Sequence, residues 1–266
     1  MESNKYFEYL YVPSMTPEQE AFLPKLLEYV KANTNLAELN EADLKWLNDK
    51  GTLHRYARAR QWNIEKATQM MVASIEWRKR MKPETIRSHH IEVEARTGKV
   101  RVADGPDLKG RPIVILDNAS SNTTDVDNQM RFLTWNFNRA VSKMPAGVEK
   151  FVVFINLSRW SIADTPPMRA TQETMDILAN QFCERLGLAI CWDAPWIFNA
   201  FFNAIYYLID PATRVKILFL SGSSNPDTNA SMTAILGPNW KQLTGIDHPQ
   251  VLLLLLLLLL LCTSFH

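Results

Sequence analysis

Three polar residues at the ends of apolar segments are the first candidates for chemistry in this sequence. Glu184 precedes a short apolar run, and Thr213 and Lys216 follow a break at Asp210-Pro211. In sheets built from βαβ units, ligands bind beyond the strand ends or against helices that can move. We therefore expect these three side chains to contact a ligand. The competing interpretation is a solvated or paired surface charge, which is the commoner outcome for a single Glu or Lys.

Sequence motifs for enzymatic chemistry are absent. Neither GxGxxG nor GxxxxGK[ST] occurs, none of the nine glycines lies in the loop after Asp117, and HExxH and GxSxG are also missing. The histidines lack the spacing of metal ligands, because His89 and His90 are adjacent and His54 stands beside an arginine. We predict a protein that is not an enzyme and that has neither a metal site nor a cofactor.

The segment Trp196–Ile209 has the length of a helix and is apolar on nearly every side, with Asn199 and Asn203 as its main polar residues. A helix of this kind is either buried or in contact with lipid. It is shorter than the roughly 20 residues that span a bilayer. Asp193 before it is suited to a helix cap, and Pro195 to a first helical turn. Plain core and the wall of a ligand pocket both remain open for its side chains.

Apolar runs of strand length alternate with helical segments from residue 111 onward. The runs are Pro112–Asp117, Phe151–Ile155, Leu188–Trp192 and Val215–Leu220, with Val100–Ala103 as a weaker candidate. The helical segments between them are Asp127–Met144, Met168–Phe182 and Trp196–Ile209. This alternation predicts βαβ crossovers and a mostly parallel sheet. Because the runs are apolar throughout, both faces of the sheet should be covered.

The N-terminal part of the chain carries the signals of four helices and predicts an all-α packing module. Thr16 is placed to cap the first helix, and Glu41–Leu47 forms a second that ends near Gly51. Thr52–Arg60 forms a third, and Asn63 caps a fourth whose last turn is basic.

Composition limits the class of protein. The chain has 266 residues, 47% of them hydrophobic, which is enough for a sizeable core. A formal net charge of +1 provides no overall field that would attract nucleic acid. No signal peptide is visible, and Cys183, Cys191 and Cys262 show no CxxC spacing, which favours free thiols in a reducing compartment. We expect a cytoplasmic protein that does not bind nucleic acid.

Several segments of the chain, in order, resemble the CRAL-TRIO family and in particular its phosphatidylinositol-transfer branch. The N-terminal part contains LHRYARARQWNIEKA and IEWRKR, and the first core strand lies in DLKGRPIVIL. The resemblance continues through FINLSRWSIADTPP, CERLGLAICWDAPWIFNAF and IDPATRVKILFLSGSS, and it covers about residues 17–224. It implies an α/β fold in which a mostly parallel β-sheet forms the floor of a lipid pocket under covering helices.

The same resemblance implies a division of the chain. Residues 1–83 would form the helical N-terminal module, residues 84–246 the lipid-binding domain, and residues 247–266 a leucine-rich tail. The tail contains the unbroken run Leu252–Leu261, which is too short to span a bilayer. We expect it either to contribute nothing specific and not to be an authentic terminus, or to act as a weak membrane anchor.

The resemblance also implies lipid exchange through a gate. In the family an apolar helix covers the pocket and opens at a membrane, and Trp196–Ile209 takes that position here. The residues expected to form the gate and line the pocket are Trp196, Phe198, Phe201, Phe202, Ile205, Phe151 and Val153. Burial of a lipid chain is worth roughly 0.8 kcal/mol per methylene, so a bound lipid needs contact between gate and bilayer to leave.

A headgroup site for phosphatidylinositol follows from the resemblance, residue by residue. Arg60 matches the second arginine of the family's Arg-Ala-Arg signature. Glu184 matches the glutamate of its Pro-Glu-Arg stretch, although Cys183 replaces the proline. Thr213 and Lys216 keep the three-residue spacing of the threonine and lysine after its Asp-Pro turn. Cations suit the phosphate, and the glutamate and hydroxyl suit the inositol hydroxyls.

One departure from the family pattern concerns the second lipid. Members that also carry phosphatidylcholine have a Ser and a Thr where this chain has Phe151 and Val153. Neither side chain can hydrogen-bond, so a buried phosphocholine would lose partners at roughly 1–3 kcal/mol per unsatisfied group. We expect weak phosphatidylcholine binding and a more apolar second ligand, such as a sterol.

The resulting hypothesis is a protein that binds one phospholipid, most readily phosphatidylinositol, and exchanges it between membranes. The resemblance implies a cytoplasmic protein that associates peripherally and transiently with a membrane surface, and the sequence names no protein partner. The alternative is a lipid or sterol sensor that presents its ligand to a partner protein.

Overall fold

A five-stranded sheet forms the centre of the fold in a computed structural model of the chain, which describes residues 14–117, 123–207, 209–222 and 225–246. The strands are β1 (Val100–Val102), β2 (Ile113–Asp117), β3 (Phe151–Asn156), β4 (Leu186–Trp192) and β5 (Ile217–Leu220). They follow one another across the sheet, with β1 antiparallel to β2 and all later neighbours parallel. The predicted α/β fold with a mostly parallel sheet is confirmed. The predicted tail, including Leu252–Leu261, lies outside the described residues.

Helices precede and cover the sheet. Those before it are α1 (Pro17–Ala32), α2 (Glu41–Asn48), α3 (Lys50–Ala59), α4 (Ile64–Met81) and α5 (Glu92–Arg96). Those that follow are α6 (Val126–Ser142), α7 (Met168–Asp176), α8 (Phe198–Tyr206), α9 (Pro211–Arg214), α10 (Pro226–Leu236) and α11 (Trp240–Thr244).

Side-chain caps fix the starts of the four N-terminal helices. The Thr16 hydroxyl accepts the N–H of Gln19, and the Gln19 side chain accepts the N–H of Thr16 in return. The side chains of Asn40, Asp49 and Asn63 cap α2, α3 and α4 in the same manner. The Asp49 cap starts α3 at once after α2, so the predicted stop near Gly51 is wrong and this glycine lies inside α3.

Both faces of the sheet are covered, as the apolar runs predict. Alternate residues of a strand point to opposite faces. On one face, α6 packs over Val114, Phe151, Val153 and Ala189. On the other, α10 and α11 pack over Ile113, Ile115, Val152, Phe154, Leu188 and Ile190. The N-terminal helices form a separate core that reaches the sheet domain at Cys183.

Two predicted helices have different bounds in the structure. The segment Met168–Phe182 divides into α7 and a turn of π-helix, Ile177–Gln181. The segment Trp196–Ile209 contains the shorter α8, because its first residues form tight turns: the carbonyl of Pro195 accepts the N–H of Phe198, three residues on. Within the described ranges, no helix is both long and apolar enough to cross a bilayer.

The predicted helix cap at Asp193 is wrong. Its carboxylate accepts the backbone N–H of Gly222 at 2.9 Å, and its backbone lies in the left-handed region with φ near 54°. Ile197 occupies the cap position of α8 and makes no side-chain hydrogen bond there. Asp193 therefore ties the end of β4 to the end of β5, and α8 begins without a polar cap.

Candidate functional site

An apolar cavity of about 240 Å³ is lined by side chains from the sheet, α6, α7 and α8. The sheet contributes Leu116, Ile155, Ala189, Cys191 and Ile217. From α8 come Phe198, Phe201, Phe202 and Ile205, four of the residues predicted to line a pocket. The volume lies below the 300–1,000 Å³ of common ligand pockets. A phospholipid with two acyl chains would therefore require α8 to move outward.

Aromatic contacts hold α8 against the sheet domain. The Phe198 ring meets Trp160 edge-on at 5.2 Å between centroids and lies 5.5 Å from Phe201. The Phe202 ring meets Phe219 edge-on at 5.1 Å. Each such ring pair contributes only about 0.5–1.5 kcal/mol beyond the area that it buries. The helix can therefore exchange them for contacts with lipid at moderate cost.

Trp196 does not line the cavity. Its side chain is 83% exposed and stands in the turn that precedes α8. Tyr207, just after the helix, is equally exposed. Trp and Tyr are the residues enriched at membrane–water interfaces. The structure thus puts exposed aromatic side chains at both ends of α8.

Phe151 and Val153 lie outside the cavity wall. They share a face of β3 with Ile155, which does line the cavity, because side chains two apart point the same way. Helix α6 covers both residues. Its Phe137 ring stacks on Phe151 with 5.1 Å between ring centroids and an interplanar angle of 14°. Phe182 meets Phe137 edge-on at 5.1 Å. Packed aromatic rings therefore occupy the sheet surface at the start of β3.

Charged side chains lie together at the end of the sheet where the parallel strands begin. We call this end of the sheet the charged edge. Lys216 immediately precedes β5, and Lys150 immediately precedes β3; both are more than 90% buried. Burial lowers the pKa of Lys150 to about 8, the positive charge of Lys216 adds to that lowering, and Glu184 opposes it. Predicted site residues Glu184 and Lys216 are thus close enough to act on the same ammonium.

Arg60 and Thr213 are placed differently. One guanidinium nitrogen of Arg60 donates to the Asn180 side chain at 3.0 Å, so this arginine connects the N-terminal helices to the segment before β4. Burial raises the pKa of the nearby Cys183 thiol to about 12; the negative charge of Glu184 adds to that rise, and the positive charge of Arg60 opposes it. Thr213 is in α9, where its backbone carbonyl accepts the N–H of Lys216 at 3.0 Å.

Sequence reasoning missed Lys150 and Arg111 at this edge. The Arg111 guanidinium forms a buried ion pair with Asp107 at 2.6 Å, and its Nη1 has no hydrogen-bond partner in the described part of the chain. A side chain at Gly187 would come within 2.8 Å of that nitrogen, so the glycine makes room for it. Lys150 could have been found from its place directly before the apolar run Phe151–Ile155.

Two family models match this chain. The model of the CRAL/TRIO domain matches residues 96–232, and that of the CRAL/TRIO N-terminal domain matches residues 21–73. The first match covers more than half of the chain. The protein therefore belongs to the CRAL-TRIO family, as its motifs predict.

Curated relatives agree with this assignment. A CRAL-TRIO domain-containing protein of Schizosaccharomyces pombe is 33% identical over 77% of this chain and 21% of its own length. The phosphatidylinositol transfer protein PDR17 of Saccharomyces cerevisiae is 27% identical over 70% of this chain and 56% of its own. The SEC14 cytosolic factor of Eremothecium gossypii is 27% identical over 79% of this chain and 71% of its own. The chain thus spans about a fifth of the Schizosaccharomyces pombe protein and somewhat over half of PDR17.

A solved structure shares the fold. The crystal structure of Sfh5 matches with a TM-score of 0.59 over 79% of this chain and 82% of that one. Sequence identity between the two is 12%, so this likeness concerns the fold alone.

Proposed function

We propose that this protein binds phosphatidylinositol under α8 and exchanges it between membranes, as a carrier and not as an enzyme. The observation that carries the proposal is the adjacency of two sites. Ile217 lines the apolar cavity, and Lys216, one residue earlier, belongs to the charged edge beside Lys150 and Glu184. In this proposal a lipid whose chains lie against Ile217 directs its phosphate to these cations and its inositol hydroxyls to Glu184.

Relatives support this reading through their names. Two of them are called phosphatidylinositol transfer proteins, PDR17 and the CSR1 protein of Eremothecium gossypii. Others carry the name SEC14 cytosolic factor, which supports a cytoplasmic location for this chain. The division at residue 83 into a helical module and a lipid-binding domain is part of the same proposal.

Arg60 and Thr213 complete the proposed headgroup site. Arg60 donates to Asn180, four residues before Glu184, and the Thr213 carbonyl accepts the N–H of Lys216. In this arrangement Arg60 supplies a cation from the helical module. The proposed site therefore takes residues from two parts of the chain, which pack together at Cys183.

Weak binding of phosphatidylcholine belongs to the proposal. The sheet surface at Phe151 and Val153 is covered by Phe137 and offers no polar group to a phosphocholine. Burial of the headgroup there would leave its polar atoms without partners.

Contact with a membrane opens the gate in this account. Trp196 and Tyr207 would enter the interface first, because they are already exposed. The apolar residues of α8 would then exchange contacts with Phe219 and Trp160 for contacts with lipid. A carrier of this kind associates with membranes peripherally and for a short time.

Transfer of labelled phosphatidylinositol between vesicles tests the proposal. We expect Lys216→Ala to lower the transfer rate at least about tenfold, because it removes a charge-assisted contact to the phosphate. Lys25→Ala, an exposed lysine of α1, is the matched control and should transfer at the wild-type rate. Thermal unfolding of each protein separates loss of binding from loss of fold. An unchanged rate for a folded Lys216→Ala protein would refute the headgroup assignment.

The same assay separates a carrier from a sensor. A carrier releases its lipid to acceptor vesicles during the assay, whereas a sensor that presents its ligand to a partner retains it. We expect release.

A further inference from the structure

A groove of about 1,130 Å³ lies between the N-terminal helices and the sheet domain. One wall is formed by α2, α3 and the end of α4, and the other by α6 and the residues just before β4. The lining carries five cationic side chains and only two carboxylates. Its aromatic residues are Trp46, Trp77, Trp135 and Phe182. None of the residues proposed for the headgroup site lines this groove, so it is a separate feature of the molecule.

Two arginines of this groove have no carboxylate partner. Arg55 is 8% exposed, and its Nη2 donates to the Thr52 hydroxyl at 2.9 Å. Arg185 donates from Nη1 to the backbone carbonyl of Glu149 at 2.9 Å, while the Glu149 carboxylate pairs with Arg58. The ion pairs among the described residues include neither Arg55 nor Arg185. A buried charge without an opposite charge beside it is costly, so an anion bound next to these two arginines would be stabilising.

The two guanidinium groups lie close enough to repel each other. Burial lowers the pKa of Arg185 to about 10, and the positive charge of Arg55 adds to that lowering. Both carboxylates in the lining are engaged elsewhere. Asp49 caps the start of α3, and Glu84 pairs with Arg78. The positive charge of the arginine pair is therefore not neutralised within the groove.

The charge of the pair selects the chemistry of its ligand. A guanidinium presents its N–H groups in a planar fork that matches the oxygens of carboxylates and phosphates. A single carboxylate or a phosphodiester would neutralise only one of the two positive charges. A phosphomonoester carries close to two negative charges at neutral pH and offers three acceptor oxygens. The groove is also much larger than a phosphate ion, which leaves room for the organic part of such a ligand.

We propose that this groove binds a phosphomonoester group between Arg55 and Arg185, with Arg139 at its rim. Arg139 is exposed, and its guanidinium carbon lies 5.4 Å from the centre of the Trp135 ring. The inference does not rest on the proposed function, because the groove and the apolar cavity share no lining residue. Two sources have this chemistry: a soluble phosphorylated metabolite and a membrane lipid with a phosphomonoester headgroup.

Isothermal titration calorimetry of the full chain with phenyl phosphate, at constant ionic strength, tests the site. We expect saturable binding by the wild-type protein and an affinity at least about tenfold lower for Arg55→Gln and for Arg185→Gln, because each change removes charge-assisted hydrogen bonds. Arg96→Gln, an exposed arginine of α5 outside the groove, is the matched control and should bind as the wild type does. Equal affinities for the wild-type protein and both groove variants would overturn the inference, as would the absence of saturable binding below about 10 mM.

Thermal unfolding of the wild-type protein gives a readout that needs no substitution. Phenyl phosphate should raise the midpoint of unfolding more than sodium chloride of the same ionic strength does, because it binds the folded chain. Equal midpoints in the two solutions would count against the site. If a glutamine variant does not fold, Arg185→Lys takes its place; it keeps the charge but loses the planar fork, and we expect weaker binding.

Flotation with vesicles distinguishes the two sources of the phosphate group. Phosphatidylcholine vesicles that contain phosphatidic acid, a phosphomonoester, are compared with vesicles that contain the same amount of phosphatidylglycerol, a phosphodiester. Recovery of the wild-type protein above that of Arg55→Gln on the phosphatidic acid vesicles alone would assign the phosphate to a membrane lipid. Equal recovery of the two proteins, together with the calorimetric difference, would assign it to a soluble ligand.

Discussion

At one edge of the parallel strands, buried charges lie close together; at the other, aromatic rings pack around α8. Lys150 and Lys216 represent the first edge, with Arg111 in its ion pair. Phe198 and Phe202 represent the second, in contact with Trp160 and Phe219. Both groups of side chains lie at ends of the same sheet. We propose that both contact one bound phosphatidylinositol.

The difference shows how one fold can combine a fixed site with a movable one. A buried charge is costly unless its partners stay in place, so the charged edge must remain rigid. Apolar ring contacts can be exchanged for other apolar contacts, including those of lipid tails. Helix α8 has no side-chain cap, whereas the four N-terminal helices all have one. Movement is therefore expected at α8 and not at the charged edge.

The largest effect is expected for Arg111→Met. This change leaves the fully buried Asp107 carboxylate without its guanidinium partner, and we expect a loss of about 3–5 kcal/mol in the free energy of unfolding. Denaturant unfolding measures it. Arg159→Met, which breaks the exposed pair with Asp117, should cost under about 1 kcal/mol. Similar costs for the two variants would show that the charged edge is not rigid.

The next effect concerns pH. The pKa of Lys150 is lowered from 10.5 to about 8, so between these values the unfolded chain binds the proton that the folded chain has lost. The contribution of Lys150 to stability is therefore unfavourable below pH 8 and improves as the pH rises from 8 to 10.5. The improvement should be on the order of 1–3 kcal/mol. Lys150→Met removes it.

Unfolding of the wild-type and Lys150→Met proteins at several pH values isolates this lysine, because all other groups titrate in both. We expect the stability difference between them to change with pH across this window. A difference that stays constant from pH 7 to 10 would mean that Lys150 keeps an ordinary pKa.

A smaller effect is expected for Trp196→Ala. The side chain is exposed, so the free energy of unfolding should change by less than about 0.5 kcal/mol. Binding to vesicles should weaken about fivefold, because an aromatic anchor is lost. Tyr29→Ala, an exposed aromatic residue of α1, is the control for co-sedimentation with vesicles and should bind as the wild type does. Equal binding by the two variants would contradict a gate at α8.

Local signals predicted much of the fold. The caps at Thr16 and Asn63 need only residues within the first helical turn, and the structure has both. The strands follow from apolar runs, whose burial on two faces needs no knowledge of distant partners. The helix cap predicted at Asp193 is wrong because its carboxylate accepts the N–H of Gly222, which lies 29 residues away in the sequence.

Residues of the site depended more on tertiary contacts. Phe151 has the right strand face for a pocket, but α6 brings Phe137 onto it, and no periodicity of β3 shows that. Arg55 and Arg185 look like ordinary surface charges in the sequence. Their proximity becomes visible only when α3 packs beside the segment that precedes β4.

The central claim is that this chain carries phosphatidylinositol, and the lipid that remains bound after purification tests it most directly. The full chain would be produced in a host whose membranes contain both phosphatidylinositol and phosphatidylcholine, and its bound lipid identified by mass spectrometry. We expect phosphatidylinositol to be the main bound phospholipid and phosphatidylcholine to be a minor one. Abundant phosphatidylcholine, or no phosphatidylinositol at all, would contradict the account.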